Sequence, residues 1–189
     1  MPIIAEQPAH AGAIEDLLDV SFGGHRTNKT VYRLRAGVPP VEDLCWAAVR
    51  GDAVDATIRY WPVTIAGRVP ALLLGPIAVA ENRRSEGLGG KLIEFTLERA
   101  AALGHRVVLL VGDAPYYGRF GFSRSLTLDL TLPGPVDLDR FLGLELVPGA
   151  LAGVAGPVER WEDPDRARHL RPLASARGVR RPALRSLVA

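Results

Sequence analysis

The run Leu72-Leu73-Leu74-Gly75-Pro76-Ile77-Ala78-Val79-Ala80-Glu81-Asn82-Arg83-Arg84-Ser85-Glu86-Gly87-Leu88-Gly89-Gly90 changes character half-way. Leu72 to Val79 is almost wholly apolar, as expected of a strand covered on both faces. The polar stretch that follows ends in glycines at 87, 89 and 90, which let a backbone approach a ligand closely. From Gly87 to Leu103 apolar residues recur at helical spacing, with Leu88, Leu92 and Phe95 beside Ile93, Leu97 and Ala100, and Gly104 closes the helix. The glycines therefore fall where a helix begins. Unpaired N–H groups and the positive end of the helix dipole point outward there, and an anion, above all a pyrophosphate, is the natural guest.

Val107 to Val111 is a second buried strand, so the centre of the chain reads strand, glycine-rich turn, helix, strand: a right-handed crossover. The N-terminal flank predicts a strand over 3–6, a helix over 10–22 broken by Gly23-Gly24, and a short helix over 27–35 stopped by Gly37 and Pro39-Pro40. Strands over 44–49 and 54–60 are joined by Arg50-Gly51-Asp52. Downstream, the alternation Leu126, Leu128, Leu130, Leu132 predicts a half-exposed strand, and 142–147 another. The fold class is α/β (α+β), a mixed sheet of six to seven strands with helices on its faces. Residues 1–160 form one domain and 161–189 an Arg-rich extension.

Composition narrows the field. The 189 residues are 48% hydrophobic and 23% charged, ordinary for a globular chain, with no apolar run near the ~20 residues of a membrane span. One cysteine, Cys45, excludes an internal disulfide and a multi-cysteine zinc site. With no signal peptide evident, a cytoplasmic location is expected. The net charge of +2 hides an asymmetry, because residues 166–189 hold seven arginines and no acid. That segment reads as a solvated or docked terminus; it has no aromatics interleaved for base stacking, which argues against nucleic acid as a partner.

Two phosphate motifs fail. Gly90-Lys91 is followed by Leu92 and position 85 is Ser, so there is no Walker A loop; Gly87-x-Gly89 lacks the third glycine of a dinucleotide fingerprint. The segment Arg84-Ser85-Glu86-Gly87-Leu88-Gly89 instead resembles the Arg/Gln-x-x-Gly-x-Gly/Ala signature of the GNAT N-acetyltransferases, and Val79 stands where that family ends its preceding strand. Tyr117-Gly118-Arg119-Phe120-Gly121-Phe122 matches the family's Tyr-x-x-x-Gly-Phe, within a longer Tyr-Tyr-Gly-Arg-Phe-Gly-Phe segment typical of a bacterial subgroup.

The resemblance implies a mostly antiparallel twisted sheet in which strands 72–79 and 107–111 run parallel and splay apart. It implies acetyl-CoA as cosubstrate, with no metal. Pantetheine would pair with the backbone of Ile77, Ala78 and Val79, and the pyrophosphate would rest on the amides of Arg84, Ser85, Glu86, Gly87, Leu88, Gly89 and Gly90. Tyr117 would be the general acid that protonates the departing sulfur, with Tyr116 as a packing aromatic. The acceptor would be an amine of a small molecule or a protein, and a homodimer is compatible with the family. No general base is legible: residues 71–80 hold no ionisable side chain, Glu81 lies close to the phosphate turn, and His25, Glu42, Asp113 and a water chain are the alternatives. An acyl-enzyme on Cys45 is disfavoured because no His partner is recognisable. The alternative function is a CoA-binding regulatory or partner-binding module without turnover.

Overall fold

The computed structural model describes residues 1–51 and 53–162. The strands are β1 (Ile3–Ala5), β2 (Trp46–Arg50), β3 (Ala53–Ile65), β4 (Val69–Val79), β5 (Val107–Val111), β6 (Leu130–Thr131), β7 (Phe141–Glu145) and β8 (Gly156–Arg160). The helices are α1 (Ala11–Phe22), α2 (Thr30–Arg35), α3 (Leu88–Ala102) and α4 (Ala114–Gly118). The Arg-rich extension lies, from residue 163 on, outside the described residues.

The sheet runs β1-β2-β3-β4-β5-β7, with β8 on the far part of β3 and β6 on β8. Its main path is antiparallel except at the centre, where β4 and β5 run parallel and are joined by α3. The expected parallel pair is present. Side chains of β4 alternate between the two faces. Leu72 and Leu74 join Leu92, Ile93 and Leu97 of α3, whereas Ala71 and Leu73 join Leu34 of α2 and Phe141. On that second face α1 seats Ile14, Leu17 and Leu18 against Ala78. Each such buried aliphatic side chain contributes about 1.5–3 kcal/mol of transfer free energy. Inside the α3 layer, the Tyr60 hydroxyl meets Thr96 Oγ1 at 2.8 Å, so the polar atoms that fix α3 on β3 are satisfied.

Four sequence expectations need correction. The leucine alternation at 126–132 does not form a strand of that length: Arg124–Thr127 is a 3-10 turn and only Leu130–Thr131 pairs, with β8. Thr127 Oγ1 donates to the Phe141 carbonyl at 2.6 Å and competes with a ladder, while Leu128 is 64% exposed. β3 continues through Pro62 to Ile65. Proline is tolerated because pairing to β2 ends at Ile58 and pairing to β8 begins at Val63, leaving Pro62 where the outer edge has no neighbouring strand among the described residues. β8 adds a strand where none was expected. Cys45 sits just before β2, not within it.

Candidate active site

The site starts from a defect in strand pairing. β4 meets β5 only at Leu72–Val108 and Leu73–Leu109. Just beyond, the β3–β4 register slips, Ile58 pairing with Ile77 and Tyr60 with Leu74, so that Gly75 and Pro76 bulge opposite Arg59. Bulges re-aim strands beside active sites. Past it, Ile77 to Val79 pair with β3 on one side and with no strand on the other among the described residues. An open edge of backbone N–H and C=O groups is a template for an extended guest.

The turn beyond β4 is shaped by two left-handed residues, Ser85 at φ +70 and Gly87 at φ +74. For serine that conformation costs of order 1–3 kcal/mol and is the kind of strain found at ligand sites. Gly87 stands at the helix N-cap, and the first helical hydrogen bond runs from Lys91 N to Gly87 O at 3.0 Å. The amides of Leu88, Gly89 and Gly90 therefore lack intrahelical acceptors. Arg84 is exposed at the turn. Arg83 is engaged elsewhere, with Glu86 at 2.9 Å and Asp55 at 3.7 Å, which makes it a brace and not the free surface charge its position suggests.

Asp113 and Pro115 start α4, and the Asp113 carboxylate accepts from the Tyr116 amide at 3.3 Å. This helix sends its two tyrosines different ways. Tyr116 points at α3: its hydroxyl is 3.0 Å from where a Cβ on Gly89 would sit. Tyr117 turns back onto Gly112, its ring filling the space of the missing side chain at 2.2 Å from an ideal Cβ. Burial, then the nearby Tyr116, pushes the Tyr117 phenol up to about 12, against a weaker opposing pull from Arg140.

Two cavities result. A larger one of about 840 Å³ is lined by Ile77 to Val79, Arg84, Ser85, Gly87 to Gly90, Tyr116 and Arg119. The second, about 490 Å³, is lined by Tyr117, Asp113, Gly75 to Ile77 and parts of 22–35 and 135–140. Phe22 and Ile77 line both. All the expected phosphate-turn and strand residues thus meet in one cavity except Glu86, whose carboxylate is held by Arg83. Tyr117 stands on the wall of the adjoining one. Of the base alternatives only Asp113 lines a cavity wall; His25 and Glu42 are exposed and line neither. Cys45 also lines neither, and burial pushes its thiol up to about 12. Among the described residues no group of three His, Cys, Asp or Glu side chains could hold a metal ion, and no helix is long and apolar enough to cross a membrane. The residues the sequence reading passed over are Arg119, which stacks 4.5 Å from the Tyr116 ring, and Arg35. Arg119 had a signal in its place within the Tyr-Tyr-Gly-Arg-Phe segment; Arg35 had none.

The Acetyltransferase (GNAT) domain family matches residues 7–125. The chain belongs to the GNAT acetyltransferases. Its GNAT relatives include a protein of Escherichia coli strain K12 named uncharacterized N-acetyltransferase YhbS, 31% identical over 163 residues that span 86% of this chain and 97% of that protein. The crystal structure of YhbS in complex with CoA superposes with a TM-score of 0.74 at 30% identity, over 85% of this chain and 89% of that one. A GNAT acetyltransferase of Brucella melitensis, in complex with acetyl-CoA, gives 0.62 at 28% identity, over 85% and 96%.

Proposed function

We propose that the protein moves the acetyl group of acetyl-CoA directly to the amine of a small molecule or protein. The observation that carries this is the opened β4 edge, with the amide-rich turn at one end and the half-buried Tyr117 at the other. Pyrophosphate sits on the amides of 84–90, with Arg84 and Arg119 adding charge. Pantetheine lies along Ile77 to Val79 as an added strand, which brings the thioester to the partition between the two cavities.

The amine enters the 490 Å³ cavity, loses its proton to water, and attacks the thioester carbon. Asp113 is already committed to capping α4, so it is assigned no proton transfer. A backbone N–H of β4 holds the oxyanion. As the C–S bond breaks, the Tyr117 hydroxyl gives the sulfur its proton and recovers one from the nitrogen. With its phenol near 12, Tyr117 stays protonated at neutral pH. A thiol titrates near ~8.5, so transfer from Tyr117 alone is uphill and is driven by the proton Tyr117 recovers from the cationic nitrogen of the tetrahedral adduct.

The test is CoA release from acetyl-CoA with a panel of amines, for wild type and Tyr117→Phe. The variant should bind CoA normally and lose roughly 10²–10⁴-fold in kcat. Full kcat in Tyr117→Phe would overturn the acid assignment. Tight CoA binding with no release for any amine would favour a CoA-binding module without turnover.

A further inference from the structure

Among the described residues, Arg35 is the one withdrawn arginine that has no acid partner. It lies on α2 and is 9% exposed. Its guanidinium is clamped between two rings, 4.7 Å from the centre of Tyr32 and 4.9 Å from that of Trp61. Arg26 and Arg59, also withdrawn from solvent, each hold two carboxylates: Glu15 and Asp19 for one, Glu6 and Glu15 for the other. No carboxylate lies within ion-pair distance of Arg35 among the described residues, and its Nε is buried without a hydrogen-bond partner. Burial lowers its pKa to about 10, so it remains charged at neutral pH.

This cation faces the second cavity. Arg35 lines it together with Tyr117, and its Nη2 comes within 3.4 Å of an ideal Cβ on Gly75, at the β4 bulge. Lys29 and Arg140 also line the cavity, as does Arg26 with its charge held by Glu15 and Asp19, against the single lining carboxylate of Asp113. A lysine side chain presented by a protein would bring another cation against this wall. A buried guanidinium without its anion is costly, and the rings offset only part of that cost. A planar oxyanion would complete it through charge-assisted, bidentate hydrogen bonds.

We propose that the acceptor is a small amine that also carries an oxyanion group, a carboxylate foremost, and that Arg35 receives this group while the amine faces the thioester at Ile77. This rests on the acetyl-transfer reading of the same cavity.

The experiment compares matched amines with acetyl-CoA: a series with carboxylates, the same skeletons without them, and arms in which sulfonate or phosphonate replaces the carboxylate. Wild type should favour the anionic member by at least about 10-fold in kcat/KM, roughly 1.4 kcal/mol. Arg35→Met should abolish that preference by raising KM for the anionic amine alone, and Arg35→Lys should restore part of it. A purely structural Arg35 would instead lower turnover of both members alike, and that result, or equal use of both by wild type, overturns the proposal. A second readout needs no turnover. Carboxylates without an amine, at about tenfold above their Kd, should raise the wild-type melting temperature by about 3–6 °C, and Arg35→Met should lose the shift. If no amine releases CoA while carboxylates still stabilise wild type through Arg35, the acetyl-transfer reading fails and the anion site stands. If carboxylates do not stabilise wild type either, the anion site fails too.

Discussion

Replacing Gly112 by alanine probes the position of Tyr117 without touching its hydroxyl. An ideal Cβ there would lie 2.2 Å from Cε2 and 2.7 Å from Cδ2 of the Tyr117 ring, and 3.1 Å from Leu110 Cδ1. Carbon atoms rest at about 3.5–4.0 Å, so the ring must retreat by roughly 1.5 Å. A misplacement of about 1 Å at a reacting centre costs on the order of 10²-fold, or about 2.7 kcal/mol in barrier. Overpacking should cost a further 1–3 kcal/mol of stability, roughly, which a domain with a typical 5–15 kcal/mol survives. The assay is kcat from CoA release, with circular dichroism to verify folding and calorimetry to follow CoA affinity. CoA affinity should hold, because Gly112 is not on the wall of the phosphate cavity. The decisive comparison is the double variant. If Gly112→Ala acts by displacing the Tyr117 hydroxyl, adding it to Tyr117→Phe should lower kcat little further. Full kcat in folded Gly112→Ala, or a loss that adds in full to that of Tyr117→Phe, refutes the reasoning.

Gly89→Asp should weaken CoA binding by at least ~10-fold in calorimetry, because its Cβ would crowd the Tyr116 hydroxyl at 3.0 Å and its charge would occupy the anion site. Cys45, whose thiol is pushed up to about 12, should resist alkylation at pH 8 in the folded protein, and Cys45→Ala should keep full kcat; an acetyl group trapped on Cys45 would contradict this. Tyr117 is also raised to about 12, above the usual ~10, so its acid form persists as pH rises. The kcat profile should therefore climb as the amine loses its proton and show no fall due to Tyr117 below about pH 11; a descending limb at pH 8–9 that is absent from Tyr117→Phe would contradict it.

What the sequence made legible is what local chemistry determines. Gly87 marks a helix start because few other residues accept its left-handed backbone, and the apolar runs at 72–79 and 107–111 read as strands of a covered sheet. The capping signature of α4, Asp113 followed by Pro115, was equally local and was overlooked. The rest depended on distant partners. Leu126 to Leu132 has strand periodicity, yet the Phe141 carbonyl takes the Thr127 hydroxyl and turns the backbone. β8 has one buried apolar side chain, Val158, and no period to read. Arg33 and Arg35 look alike on a short helix; only the packing of Trp61, 26 positions downstream of Arg35, separates the exposed one from the buried one.

The two cavities share Phe22 and Ile77 as a common partition. If CoA and the acceptor take one cavity each, as proposed, neither need wait for the other to load or leave. A single molecule joining the CoA sulfur to the acceptor nitrogen would thread that partition and fill both chambers at once. Its second half would bind at the effective concentration set by a very short tether, so such a conjugate should exceed the affinity of either half by about 10²–10⁴-fold. The same conjugate, built on different amines, would act as a ruler for the inner chamber, reporting the shape of the true acceptor through affinity alone.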